Sequence, residues 1–242
     1  MKRVRHLELQ SLPTRLADRW RQLDNLAPYG DAKEAVLCLL DWFYSQPRRA
    51  YHTWEHLAQC FAEYDDYRRA TGAAKSDAIE LAVWFHDAIY EPTRDQSEED
   101  SAALARCCLV AFDCRKALVA KVCRLILTTK HEKVVTDPDE RLMCDLDLSS
   151  LGESWGRFVR NAARIRSEYT HVPAESFRAA RCEMLQKFLD RGHIYQSAYF
   201  HRKYEAAARA NLQRYIAEAA CPTGRTSYTS RTRGARGYRF VR

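Results

Sequence analysis

The segment Leu81–Tyr90, which reads LAVWFHDAIY, constrains the fold most, because it carries adjacent histidine and aspartate residues in an otherwise apolar run. The apolar residues before His86 favour a buried helix, so the pair enters the protein interior. Burial of an imidazole and a carboxylate is costly in free energy unless each group finds a partner. A ligand, a helix cap or a hydrogen bond between His86 and Asp87 would each meet that requirement.

Two other segments supply the same residue types. The segment YHTWEHL places His52 and His56 four residues apart, which predicts that they share one helix face. The segment CDLDLSSLG places Asp145 and Asp147 on another predicted helix. Histidines and carboxylates from three elements are the donors that a divalent cation with mixed nitrogen and oxygen ligands requires.

Helix geometry limits how these donors can meet. Adjacent side chains on a helix diverge by about 100°, so His86 and Asp87 can converge on one ion only at a helix end or bend. Pro92 predicts such an end, because proline stops a helix. Asp145 and Asp147 point to opposite sides of their helix, so only one faces the ion. For Asp145 the competing interpretation is a solvated or hydrogen-bonded surface acid.

The chain is predicted to be all-α, with one helical domain over residues 1–220. Only eight glycines and seven prolines interrupt 242 residues, and neither strand alternation nor an internal repeat is evident. Apolar spacing and capping residues, including Ser76 and Asp137, place the helix boundaries. The predicted helices cover residues 12–27, 32–46, 51–70, 77–90, 97–112, 115–130, 137–152, 155–169, 174–191 and 197–219.

The basic charge is concentrated at the C-terminus. The net charge is +7, but residues 221–242 carry six arginines and no acid, so the rest of the chain is close to neutral. Nucleic acid is therefore an unexpected partner except through this tail, which is rich in Gly, Ser and Thr and predicted to be disordered. A polyanion-binding function through the tail alone is one hypothesis, and a solvated extension without a task is the simpler interpretation.

The compartment is predicted to be the cytoplasm. No apolar run approaches the ~20 residues of a membrane span, and no secretory signal is present. The nine cysteines form no CxxC pair and fall mostly within apolar helical pattern, which predicts free thiols and no thiolate zinc site.

The order H…HD…D on helices resembles the HD superfamily of metal-dependent phosphohydrolases. The resemblance implies an HD-type helical bundle in which His56, His86, Asp87 and Asp147 bind a divalent ion. Asp147 is preferred over Asp145 because its context resembles the metal-ligand aspartate of HD-type phosphodiesterases. Two imidazoles and two carboxylates suit Mn, Fe, Co, Ni, Mg or Zn.

A further implied residue is His52. Residues 51–56 are similar to the Tyr-His-Asn-x-x-His segment of cyclic-nucleotide phosphodiesterases, in which the first histidine donates a proton to the leaving oxygen, with Thr53 in place of the asparagine. His52 is therefore a candidate general acid. A structural histidine bonded to a nearby carboxylate is the alternative.

Residues from about 10 to 218 resemble one branch of the superfamily, the predicted metal-dependent phosphohydrolases. The shared motifs include Arg49-x-Tyr51, Ile194-Tyr195 and Glu205…Arg209, and Ser97 departs from an expected asparagine. Arginine suits bidentate contact with phosphate oxygens. Glu98 is a candidate for positioning the attacking water or binding a second ion, and His131 for contacting the substrate or binding a second ion. The candidate phosphate-binding residues are Arg49, Arg94, Arg181 and His131.

Each of these candidates has a local alternative. An arginine can be a surface ion-pair partner, Glu98 can complement its helix dipole, and His131 can stabilise a helix C-terminus. The predicted function is hydrolysis of a nucleotide-like or other small phosphate ester or anhydride by a metal-bound water. A cyclic-nucleotide-type phosphodiesterase and a non-catalytic protein that binds a phosphorylated ligand are the alternatives.

Overall fold

The computed structural model describes residues 11–23, 26 and 29–220, and these residues form α-helices and turns without a strand. The all-α prediction is therefore confirmed. The helices are α1 (Thr14–Arg21), α2 (Gly30–Tyr44), α3 (Trp54–Thr71), α4 (Asp77–Phe85), α5 (Ser97–Ala111), α6 (Lys116–Thr128), α7 (Pro138–Asp147), α8 (Trp155–Glu168), α9 (Ala174–Leu189) and α10 (Ala198–Ala220). A 3₁₀ turn, Leu148–Gly152, follows α7.

Most helix ends lie within two residues of their predicted positions, and side-chain caps explain two of the starts. Ser76 accepts a hydrogen bond from the backbone N–H of Ile79, and Asp137 accepts from those of Asp139 and Glu140. These bonds satisfy N–H groups that lack partners in the first turn of a helix.

Three predicted α-helices end early. The helix predicted to reach residue 152 ends at Asp147 and continues as the 3₁₀ turn, whereas remote side chains bind backbone carbonyls just beyond the ends of the other two. The helix predicted to reach residue 27 ends at Arg21, where the ammonium group of Lys33 donates to the carbonyls of Arg21 and Leu23. The helix predicted to reach residue 90 ends at Phe85. Continuation would pair the Ala88 carbonyl with Pro92, which has no N–H, and Arg49 donates to that carbonyl instead.

The chain divides into two compact units, one ending at Asp147 and one beginning at Leu148. They are called the first unit and the second unit below. This division describes packing and does not test whether residues 1–220 fold as a single domain, which stays a prediction.

Helix α4 is the centre of the first unit, where it contacts α3, α5, α6 and α7. Every residue from Ala78 to Phe85 is buried, and all of them are apolar except Glu80, whose carboxylate accepts a hydrogen bond from Nε of Arg19 at 2.9 Å. Near the end of this helix, the centroid of the Trp84 indole lies 5.2 Å from the ring centroid of Trp20, 6.0 Å from that of Trp54 and 5.0 Å from that of Phe61. The helix that carries the His–Asp pair is thereby fixed by aromatic packing.

In the second unit, α10 packs along the 3₁₀ turn and α9. A Cβ atom added to Gly152 would lie 2.5 Å from Cβ of Tyr204, so only glycine permits this approach. Asn211 donates to the carbonyls of Leu151 and Glu153, and Tyr195 donates to that of Leu148. These bonds hold the turn against the helix.

None of the described helices is both long and apolar enough to cross a membrane. The eight cysteines in the described part of the chain are free thiols. The predictions for the arginine-rich tail, residues 221–242, lie outside the described residues.

Candidate metal centre

Four polar side chains of the first unit meet where helices begin or end. His56 lies in the first turn of α3, which starts at Trp54 because the Thr53 hydroxyl accepts a hydrogen bond from the N–H of Glu55. Asp147 is the last residue of α7. Both side chains are buried, so the local sequence places them inside the unit and not on its surface.

His86 and Asp87 reach the same point because α4 ends between them. His86 is the C-cap residue and keeps helical backbone angles, whereas Asp87 already belongs to the following turn. The Nδ1–H of His86 donates to the carbonyl of Val83 at 3.0 Å. Since a carbonyl can only accept, Nε2 carries the lone pair of the neutral ring and faces the other three side chains.

The donor atoms of these four residues lie at the separations that one ion requires. Nε2 of His56 lies 3.2 Å from Nε2 of His86, 3.5 Å from Oδ2 of Asp87 and 3.3 Å from Oδ1 of Asp147. Nε2 of His86 lies 3.1 Å from that Asp87 oxygen and 3.6 Å from that Asp147 oxygen. Adjacent ligands about 2.0–2.2 Å from a tetrahedral or octahedral ion are themselves separated by about 2.8–3.6 Å.

The two buried carboxylates of this cluster, Asp87 and Asp147, would be stabilised by a positive charge between them. Without an ion, burial alone would raise the pKa of Asp87, but the positive charge that His86 first, and then His52 and His56, carry when protonated lowers it well below its usual value. An ion would supply that positive charge when the imidazoles are neutral. Asp87 is therefore a carboxylate, and its buried Oδ2 accepts no hydrogen bond from the described residues. Two imidazole nitrogens and two carboxylate oxygens, with this orphaned oxygen among them, fit a divalent cation.

His131 adds a hydrogen bond at the edge of the cluster. Its Nε2 lies 3.0 Å from Oδ2 of Asp147, the oxygen that does not face the two other histidines. The residue follows α6 with φ of 53°, a left-handed backbone conformation uncommon for a residue other than glycine. This conformation brings the ring to Asp147, so the geometry favours orientation of a ligand. The prediction that His131 binds phosphate remains untested.

His52 stands beside the cluster and not within it. It precedes the Thr53 cap of α3, so the prediction that it shares a helix face with His56 is wrong. Its ring stacks on Tyr90, with centroids 3.9 Å apart, and lies 6.1 Å from the ring of His56. The side chain is buried, and His52 is not among the four residues whose ligand atoms lie within 4.8 Å of one another.

Arg49 binds the backbone around the cluster. Its guanidinium donates from Nη1 to the carbonyls of His52, at 3.0 Å, and Asp87, at 2.7 Å, and from Nη2 to that of Ala88, at 2.7 Å. The group is buried and lies over the rings of Tyr44 and Tyr90. These contacts give Arg49 a positioning role, and its predicted contact with phosphate is untested.

The other candidate residues have separate environments. Arg94 forms an exposed ion pair with Asp100 at 3.0 Å. Glu98 is buried in the first turn of α5, and its charge helps to raise the pKa of Lys130, after the contribution of Glu99. Arg181 is buried in α9 of the second unit. Their predicted roles toward phosphate or water are not tested by these contacts.

Sequence reasoning was also wrong about Asp145 and missed two other residues. Asp145 is fully buried, so its interpretation as a surface acid is wrong; α7 is enclosed on both of the sides to which its two aspartates point. Cys60, one turn after His56, places its Sγ 3.8 Å from Nε2 of that histidine and donates to the carbonyl of Leu146. Tyr90 supplies the ring that holds His52. The i,i+4 spacing of Cys60 and His56 was a signal that could have been used.

No protein-family model, curated protein or solved structure matches this chain. The resemblance to the HD superfamily therefore depends on the motifs quoted above and stays a prediction.

Proposed function

We propose that the protein is a metal-dependent phosphohydrolase of the HD type, which cleaves a nucleotide-like or other small phosphate ester or anhydride. The observation that carries the proposal is the convergence of His56, His86, Asp87 and Asp147 at separations of 3.1–3.6 Å. Four buried donors of this kind are costly to assemble unless they bind a cation.

The four residues would hold one divalent ion, from the set Mn, Fe, Co, Ni, Mg and Zn. Such an ion supplies a Lewis acid for phosphate oxygens and lowers the pKa of a coordinated water. The chain itself fixes the ligands: Val83 sets the tautomer of His86, His131 orients Asp147, and Arg49 holds the backbone at Asp87. Partners of this kind raise ligand basicity and metal affinity.

His52 is proposed to donate a ring proton to the leaving oxygen. Imidazole is the side chain most often used for proton transfer near neutral pH. Stacking on Tyr90 restrains the ring, and the burial of both residues limits competing proton exchange with bulk water. The cytoplasm is the compartment proposed for this activity.

The test combines metal analysis with a substrate screen on tag-free protein. We expect about one divalent ion per chain at the cluster after dialysis, and phosphate release from at least one nucleotide or sugar phosphate. Asp87→Ala should lose both, whereas Asp66→Ala, which changes an exposed aspartate paired with Arg69, should lose neither. Metal retention without turnover on any phosphate ester or anhydride would contradict hydrolysis and support a phospho-ligand-binding protein. Absence of metal would contradict the site itself.

A further inference from the structure

The second unit contains a separate group of metal-ligating side chains. His193 lies in the loop before α10, and His201 and Glu205 lie one turn apart on α10. Each offers a ligand atom within 4.8 Å of the others. The two imidazole rings have centroids 4.6 Å apart at 81° to each other. The motif resemblance includes Glu205 but neither of these two histidines.

The carboxylate of Glu205 is held in place before any ligand binds. Its Oε2 accepts from the backbone N–H groups of Ile194 and Tyr195, both at 3.0 Å, and Oε1 accepts from Nε of Arg209 at 2.7 Å. Burial alone would raise the pKa of Glu205, but the N–H groups of Tyr195 and Ile194 and then Arg209 lower it. The group is therefore an oriented anion.

The same contacts fix the loop that carries His193. Arg209 also donates to the carbonyls of Leu189, Arg191 and Gly192, at 2.8–3.0 Å. Hydrogen bonds from α10 thus hold the backbone immediately before and after His193. Its position beside His201 is a consequence of this fixed loop and needs no ion to create it.

His201 points a buried nitrogen at this carboxylate without hydrogen bonding to it. Nδ1 of His201 lies 3.5 Å from Oε2 of Glu205 and has no hydrogen-bond partner among the described residues. About 3.4 Å is the separation of two ligands on a tetrahedral ion with bonds of about 2.1 Å. The rest of the His201 side chain is 40% exposed, so an ion there would also be open to water.

We propose that His193, His201 and Glu205 form a second metal site, which binds Zn²⁺ or a similar first-row divalent ion between α10 and the loop that α10 already holds. Two neutral imidazoles and one carboxylate are donors typical of zinc, and three protein ligands leave a position for water. The positive charge of Arg209, bound to the other carboxylate oxygen, lowers the affinity. The site is independent of the proposed hydrolase function.

The experiment is a calorimetric titration of metal-stripped, tag-free protein with Zn²⁺. We expect wild type to bind one ion at this site beyond the one removed by His86→Ala. His193→Ala and His201→Ala should each weaken that second binding step at least tenfold. His171→Ala, which changes another exposed histidine of the same unit, should leave it unchanged. Equal binding by wild type and both variants, or loss of all binding in His86→Ala, would overturn the proposal.

A second measurement does not depend on the folding of variants. In wild type, Co²⁺ should broaden the backbone amide resonances of Ile194 and Tyr195, because both N–H groups bond to Glu205. The amide of Gly156, in the first turn of α8, serves as the reference within the same unit. Broadening of Gly156 to the same extent as the two loop amides would show general association with the surface and overturn the proposed site.

Discussion

The two candidate sites use nearly the same donors in opposite settings. His56, His86 and the two aspartates of the first unit are each at most 4% exposed, whereas His193 and His201 of the second unit reach the surface. In the buried cluster, no solvent can compensate two carboxylates. In the exposed group, water and Arg209 already compensate the single carboxylate, that of Glu205. Burial therefore decides whether an ion is needed for stability or merely accommodated.

The supporting contacts differ in the same way. Around the buried cluster, the supporting groups orient the ligand side chains directly. The carbonyl of Val83 accepts a hydrogen bond from His86, and the ring of His131 is hydrogen bonded to Asp147. In the second unit, the supporting bonds act on a loop, through Glu205 and Arg209. We expect the first site to keep its ion through dialysis and the second to exchange it readily.

The largest expected effect follows from removal of a buried ligand. Asp87→Ala should eliminate the ion of the first unit and reduce turnover to the rate of the solution reaction, because a ligand is lost and two imidazoles are left without their cation. Elemental analysis and phosphate release measure the two losses. Zinc binding in the second unit should persist in this variant. Retention of a full equivalent of metal at the first site would exclude Asp87 as a ligand.

A smaller loss is expected when the proposed acid is removed. His52→Ala should keep its metal and lower turnover by about 10²–10⁴-fold, as is typical for a general acid. The deficit should be greatest for alkyl phosphates and least for p-nitrophenyl phosphate, whose leaving group needs no proton. Loss of metal in this variant would make His52 a ligand, and an equal deficit for both substrates would exclude a role as acid.

Loss of the hydrogen bond from His131 to Asp147 should lower the metal affinity of the first site less than loss of a ligand would. His131→Asn removes the imidazole but retains a residue that tolerates φ of 53°. We expect metal affinity at the first site to fall by about 10–100-fold, which is typical for the loss of a partner that orients a ligand. Competition with a chelator measures this change. Unchanged affinity would show that His131 does not orient Asp147.

The smallest effect concerns acid stability in the metal-free protein. Because the pKa of Glu205 is lowered in the folded state, its contribution to stability is present above the ordinary glutamate pKa, about 4.3, and is lost as pH falls through the folded-state value. Glu205→Gln should reduce the pH dependence of the unfolding free energy below pH 5, by at most about 1.4 kcal/mol per pH unit. Denaturant melts between pH 3 and 6 measure it. An unchanged slope would contradict a lowered pKa.

The helices were predictable because their signals are local. Ser76 and Asp137 identify two helix starts, and apolar spacing identifies the buried faces. The early ends of α1 and α4 were not predictable, because Lys33 and Arg49 reach their carbonyls from distant positions in the chain. The sequence around a helix end does not show which remote side chain will donate a hydrogen bond to its backbone carbonyls.

The convergence of the first site was foreseen from motif order, but its details were not. Thr53 could have shown that α3 begins after His52, since threonine is a common N-cap. The burial of Asp145 and the hydrogen bond from His131 depend on tertiary packing, which no spacing encodes. The group in the second unit was missed because only the His201–Glu205 spacing is local, and His193 joins through a folded loop.

The three carbonyl bonds of Arg49 have a consequence for the entropy of ion binding. The bond from Arg49 to the Asp87 carbonyl spans 38 residues and is a noncovalent closure of the loop that contains His56. The conformational cost of bringing that histidine to the end of α4 is therefore met when the unit folds, before an ion arrives. Arg49→Lys keeps the charge but cannot bond to all three carbonyls. In that variant, the conformational entropy cost of bringing the ligands together would therefore be part of the free energy of ion binding.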